Sequence, residues 1–259
     1  MTISQRVNAE RVVLLDWSRA ILLQLAHPLV AAGVAEHSSF RDGALAAAVR
    51  LHHTVQSMLS LTFGDSRRHA EALETIRAIH RRVNGQLATS VGRFPAGTRY
   101  SAEDPDLVLW VHATLLDSLP LIYERVVRPL TDDERNSYCT ETAGVAVELG
   151  ARPADVPHSW AELRAYLEAM YASGVIVVGT QARELASAVL APPLAAFVGP
   201  IAWVNRVVSV GLLPADVRRE YGFEWGAPDD RRLHRALRVV RSIRAVLPNR
   251  VAWWPQARA

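Results

Sequence analysis

Two short patterns carry the residues able to do chemistry: Arg50-Leu51-His52-His53-Thr54 and Arg77-Ala78-Ile79-His80. Between them, Phe63-Gly64-Asp65 holds a helix stop and a helix start. This reads as two antiparallel helices facing each other across the break. His80 lies seven residues after Leu73, four after Ile76 and three before Val83, on the apolar stripe of its helix. A buried imidazole needs a partner, or it costs about 1–3 kcal/mol. The partner is a metal ion, or it is a carbonyl or side chain of the core; spacing alone leaves both open. Arg77, one turn before His80, suits either a carboxylate such as a propionate or solvent. On the preceding helix Arg50, His53, Thr54 and Ser57 share a stripe opposite Leu45, Val49, Val55 and Leu59. That polar stripe faces water or lines a polar cavity.

Histidines are concentrated in the first half: His27, His37, His52, His53, His80 and His112 all precede residue 113. The H-E-x-x-H spacing of zinc proteases and the Glu-x-x-His pairs of di-iron bundles are absent. So are the serine-hydrolase elbow, the P-loop and the dinucleotide glycine pattern. Single histidines on separate helices suit a haem, which needs one protein ligand. Glu36-His37 follows the apolar run Leu29–Ala35, where a partly desolvated carboxylate would serve as a general base or acid.

The elements that must position these groups are helical throughout, so the fold class is all-α. The 259 residues are half hydrophobic, enough for one large domain spanning 1–259. The one cysteine, Cys139, excludes a disulfide framework and a cysteine zinc site. Every basic residue besides histidine is arginine, and a net charge of +3 with no aromatic-basic motif gives no sign of nucleic acid. Met1–Glu10 lacks a signal-peptide core, so a cytoplasmic protein is expected. Ala20–Ala35 and Leu185–Asn205 are uncharged but broken by prolines, and read as buried segments rather than membrane spans.

In order, the first helix is expected over Asn8–Ala26, with Pro28 kinking or restarting it as far as Ala35. Asp42 caps the second, which ends before Gly64; Asp65 or Ser66 caps the third, which ends at Asn84-Gly85. A loop with Gly92, Pro95 and Gly97 leads to Asp104-Pro105, the start of a helix carrying Trp110, His112 and Leu116 and bent at Pro120. Thr131 and Ser159 open two capping boxes, and Gly150 closes the first of those helices. Val175–Leu190 reads as a helix broken at Pro192-Pro193. Leu213-Pro214 opens a short helix ending near Gly222, and a last amphipathic helix covers about 230–247. Its Leu233, Leu237, Val240 and Leu247 form one stripe, and Arg231, Arg235 and Arg238 another. Packing on the core and peripheral docking on a membrane both fit that helix.

The chain resembles the oxygenase family that contains the latex clearing protein and the fungal MpaB oxygenase. The resemblance rests on Leu22-Leu23-Gln24-Leu25-Ala26-His27-Pro28, Gly33-Val34-Ala35-Glu36-His37-Ser38, Phe63-Gly64-Asp65, Trp110-Val111-His112-Ala113-Thr114-Leu115 and Leu212-Leu213-Pro214, in that order. It covers about Ala20–Phe223. It implies an all-α fold binding haem b, with His80, three residues after Arg77, as the proximal iron ligand. It implies Arg50 and Thr54 as distal hydrogen-bond donors to oxygen, and Glu36 as the base. Rubber oxygenases carry a lysine just before that threonine; here His53 stands there, able to take the sixth site of the iron. His112 belongs to the motif on the apolar helix and is expected beside the cofactor. The implied partners are O2 and a small apolar, isoprenoid-like alkene. A non-catalytic haem protein with two histidine ligands and a metal-free helical binding protein are the alternatives.

Overall fold

The computed structural model describes residues 1–37, 44–190 and 199–258, with the side chains of 44–51 outside the description. Among the described residues the chain forms thirteen α-helices and one pair of short strands, the all-α architecture expected. The helices are α1 (Ile3–Ala9), α2 (Trp17–Leu25), α3 (Pro28–His37), α4 (Ala44–Phe63), α5 (Ser66–His80), α6 (Pro105–Val126), α7 (Asp132–Glu148), α8 (Trp160–Ala172), α9 (Thr180–Leu190), α10 (Gly199–Gly211), α11 (Ala215–Glu220), α12 (Ala227–Val246) and α13 (Asn249–Ala252).

The single first helix expected over Asn8–Ala26 is instead three pieces. Glu10 turns extended after α1, a 3-10 segment covers Arg11–Asp16, and α2 follows. The break has a physical cause. The Glu10 carboxylate, 2% exposed, accepts hydrogen bonds from Arg244 Nε and Nη2 at 2.6 Å each and from Trp253 Nε1 at 2.8 Å. Those bonds tie the N-terminal region to α12 and the segment after α13. Pro28 cannot continue α2, and the chain bends by 108° between the Arg11–Leu25 segment and α3.

Asp65 accepts from the Arg68 amide at 2.8 Å and starts α5, and Thr131 forms a full capping box with Glu134 at the start of α7. Gly150, at φ 113°, takes the left-handed conformation that ends α7. The cap expected at Asp42 and the break at Pro192-Pro193 lie outside the described residues. Helix α5 stops at His80 rather than Asn84. Asn84–Gln86 (β1) pairs antiparallel with Arg99–Ser101 (β2), so the chain does contain a small sheet. Val175–Val178 lies outside any helix, and α9 starts only at Thr180: the Val177 amide donates to the Ala26 carbonyl at 2.8 Å and the Val178 amide to Glu220 at 2.8 Å. These β-branched residues fit an extended backbone better than a helix.

Helix α6 is the centre. It packs against α2, α7, α8 and α12, and Trp110, Leu116, Leu119 and Ile122 are each at most 4% exposed. It is the one described helix long and apolar enough to cross a membrane, yet 72% of that window is buried by the other helices. The bent pair Arg11–Leu25 and Pro28–His37 passes the same test if taken as one span. Pro120 sits within α6 without ending it.

Charge is buried alongside α6. Arg19, 3% exposed, donates to Asp117 Oδ2 and Ser118 Oγ at 2.6 Å and to the Leu212 carbonyl at 2.8 Å. Asp16 is fully buried close to Arg19, with neither carboxylate oxygen hydrogen-bonded. Burial pushes its pKa up to about 7, against the pull of Arg19.

Candidate active site

Helices α4 and α5 form the expected antiparallel hairpin about Gly64, whose added Cβ would meet the Ser60 carbonyl at 2.3 Å. At a rise of ~1.5 Å per residue, His53 lies ~15 Å from this corner and His80 ~21 Å, about one helical turn apart along the hairpin. On α4, Val55 and Leu59 are buried, while His52, His53 and Thr54 are exposed. His53 and Thr54 of the polar stripe therefore face outward, and Ser57 is half-buried. His53 meets His52 edge-on, ring centres 6.1 Å apart. The Arg50 side chain lies outside the described residues.

His80 ends α5, half-buried, and its Nδ1 is sealed from solvent with no hydrogen-bond partner. Burial lowers its pKa, so the ring is neutral at pH 7, the form that binds metals. His112, half-buried on α6, has a partnerless buried Nε2 and a pKa lowered to about 4 by burial. A buried polar atom left bare costs about 1–3 kcal/mol, so each of these nitrogens calls for a partner that the described residues do not supply. His27 differs. It is 5% exposed with a pKa near 4, also from burial, but its Nδ1 accepts the Leu29 amide at 3.2 Å.

Arg77 donates through Nε to the Glu148 carbonyl at 3.0 Å, and its Nη2 reaches the same atom. It caps the end of α7, beside His69, whose Nε2 meets Glu148 Oε2 at 2.9 Å. No group of three or more His, Cys, Asp or Glu poised to hold a bare metal ion occurs among the described residues.

Glu36 and His37, at the end of α3, are exposed rather than desolvated by the apolar run before them. Their environment comes from a residue with no sequence signal. Tyr100, on β2 and 4% exposed, donates its hydroxyl to Glu36 Oε2, and its oxygen lies 3.4 Å from His37 Nε2. His37 Nε2 also meets the Asn84 carbonyl at 3.1 Å. Burial and the bond to Glu36 both raise the Tyr100 pKa, so the phenol keeps its proton. Two glycines make room for the ring. A Cβ at Gly85 would sit 2.5 Å from Tyr100 Oη, and one at Gly33 would sit 3.6 Å from the ring and 3.1 Å from Val83. A cleft of about 480 Å³ lies against this pair, lined by Asn84, Gly85, Arg99, Tyr100 and Asp104 among others. His80, His53 and His112 do not line it.

These features define an all-α protein whose candidate chemistry is carried by single imidazoles and one tyrosine-bound glutamate. The chain belongs to the family described as "ER-bound oxygenase mpaB/B'/Rubber oxygenase, catalytic domain", whose model matches residues 5–242. No curated protein and no solved structure matches it.

Proposed function

We propose that this protein is a haem b-dependent oxygenase acting with O2 on an apolar, isoprenoid-like alkene. Membership of an oxygenase family supports the reaction class. The observation that carries the haem reading is the buried, partnerless Nδ1 of a neutral His80 at the end of α5. A bound haem supplies the dioxygen chemistry, and the protein supplies position and surroundings. His80 is the residue that holds the iron. Arg50 and Thr54, four residues apart on α4, share one helix face, from which both can donate hydrogen bonds to orient O2. Glu36 is the proton acceptor. Tyr100 occupies its Oε2, and Oε1 carries no hydrogen bond among the described residues. His53 stands beside Thr54 as a second imidazole for the iron, and His112 as a neutral contact for the macrocycle.

The test is a visible spectrum with an iron assay on protein made in haem-replete cells, for the wild type and His80→Ala. The expected result is a Soret band with one iron per chain in the wild type and loss of both in the variant, with helical circular dichroism kept. A variant that retains full haem would overturn the ligand assignment. A wild type that is folded and stays colourless when haem is offered would overturn the cofactor.

A further inference from the structure

The outer face of α12 brings together two kinds of side chain that a solvated helix keeps apart. Val239, Ile243 and Val246 follow the i, i+4, i+7 spacing of one stripe and are 49%, 52% and 81% exposed. The helix is held to the core by other residues, Leu233, Ala236 and Leu237, which are buried. Beside the aliphatic stripe, Arg231, Arg235 and Arg238 repeat the same spacing and are exposed. Two arginines of α12 are committed elsewhere: Arg232 pairs with Asp229 at 2.8 Å and Arg244 with Glu10. Arg231, Arg235, Arg238 and Arg241 have no ion pair among the described residues.

Charge is segregated on the scale of the whole chain. Residues 231–259 hold eight arginines and no acid, whereas residues 1–230 hold 21 arginines against 26 acids. Four unpaired guanidinium groups on one helix select a partner with dense fixed negative charge. The exposed aliphatic stripe flanks the row of Arg231, Arg235 and Arg238, and it selects one that also offers an apolar layer within a side chain's reach of that charge. A nucleic acid provides the first and not the second; the interface of an anionic bilayer provides both. The twenty residues of α12 make a rod ~30 Å long, and its arginine stems can lie along the apolar boundary with their heads at the phosphates.

We propose that α12 docks this protein flat on an anionic phospholipid surface, with Val239, Ile243 and Val246 at the acyl boundary and Arg231, Arg235 and Arg238 at the headgroups. This rests on the surface of α12 alone and is independent of haem.

The experiment is flotation of the full chain with vesicles of neutral phosphatidylcholine, and of phosphatidylcholine with about one third phosphatidylserine, at low and at physiological salt. The wild type should float with the anionic vesicles alone, less so as salt rises. Replacing Arg231, Arg235 and Arg238 together by Gln should lower the partition on the order of a hundredfold, as loss of three surface cations implies. The pair Ile243→Ser and Val246→Ser should lower it on the order of tenfold. All five positions are exposed, and thermal melts establish that both variants fold. Equal flotation with neutral vesicles, or wild-type partition in the arginine variant, would overturn the proposal. So would a DNA duplex that binds more tightly than the anionic vesicles with the serine pair having no effect on either, because the face would then be one for nucleic acid.

Discussion

Replacing Asp16 by Asn should make the protein's stability more sensitive to acid, although it removes a carboxyl group. Three buried groups set the sign. His27 and His112 have folded pKa values near 4 against 6.5 unfolded, so their stabilisation is present above pH 6.5 and is lost as pH falls towards 4. Asp16 runs the other way. Its folded pKa is about 7 against 3.8 unfolded, so its protonated form stabilises at low pH, and that stabilisation is lost as pH rises to 7. Between pH 7 and pH 5 the linkage gives a loss of about 2 kcal/mol for His27 and up to the same for the half-buried His112. Asp16 offsets about 2 kcal/mol of it over the same interval. The wild type should therefore lose about 2 kcal/mol from these groups, and Asp16→Asn about 4 kcal/mol. All other titrating groups are shared, so the difference between the two proteins isolates Asp16. For a chain of this size 1 kcal/mol corresponds to a Tm shift of about 2–4 °C, so the fall in Tm should be about 4–8 °C larger in the variant. Thermal unfolding at both pH values measures it. Equal falls in Tm would show that Asp16 is ionised in the folded protein at pH 7, and the reasoning from its unpartnered oxygens would fail.

Arg19→Met should cost about 3–5 kcal/mol, because Asp117, 7% exposed, would keep only the half-exposed Arg164 at 3.4 Å as a counter-charge. Urea unfolding reads this directly, and a loss below about 1 kcal/mol would mean that the pair does not hold α2 to α6. Gly85→Ala should displace Tyr100 from Glu36 at a cost of about 1–3 kcal/mol, because the new methyl would lie 2.5 Å from Tyr100 Oη and 2.8 Å from Cζ. Its turnover should fall with the haem content unchanged, and Tyr100→Phe should show the same fall with a smaller loss of stability. Wild-type turnover in both would remove the Tyr100–Glu36 bond from catalysis.

Local signals in the sequence were followed where the governing interaction is itself local. The caps at Asp65, Asp104, Thr131 and Ser159 each act over two or three residues, and each starts a helix. The break at Glu10 was not legible, because its partners Arg244 and Trp253 are 234 and 243 residues away. Tyr100 was missed for the same reason, being 64 residues from Glu36. The small sheet was hidden by its composition: Asn84-Gly85-Gln86 has no β-branched residue, and tertiary pairing with Arg99–Ser101 overrides propensity. The buried ion pair did have a signal that went unread. Asp16, Arg19 and Asp117 are lone charges inside apolar runs, Val12–Leu15, Ala20–Leu23 and Thr114–Leu119, where a charge is buried with a partner or protonated.

Helix α6 separates two kinds of unsatisfied polar atom, and the separation decides which of them speaks to a cofactor. Trp110 and His112 are two residues apart, so they project about 200° from each other around the helix axis. Trp110 Nε1 has no partner, and neither does the hydroxyl of Tyr171, whose ring meets Trp110 edge-on at 6.1 Å. Tyr171 feels the charges of Asp117, Arg19 and Arg164, so this side of α6 belongs to the buried ion pair. His112 looks away from that cluster, and burial alone sets its pKa. His80 Nδ1 is likewise buried, with no hydrogen bond and only a distant carboxylate, Glu103, opposing the effect of burial. Exposed His53 can satisfy both nitrogens with water, so it gains less from iron than His80 and is the weaker, displaceable second ligand. A neutral buried imidazole with a bare nitrogen gains the whole of its missing partner, which is why we propose His80, rather than the more conspicuous His52-His53 pair, as the residue that would hold an iron.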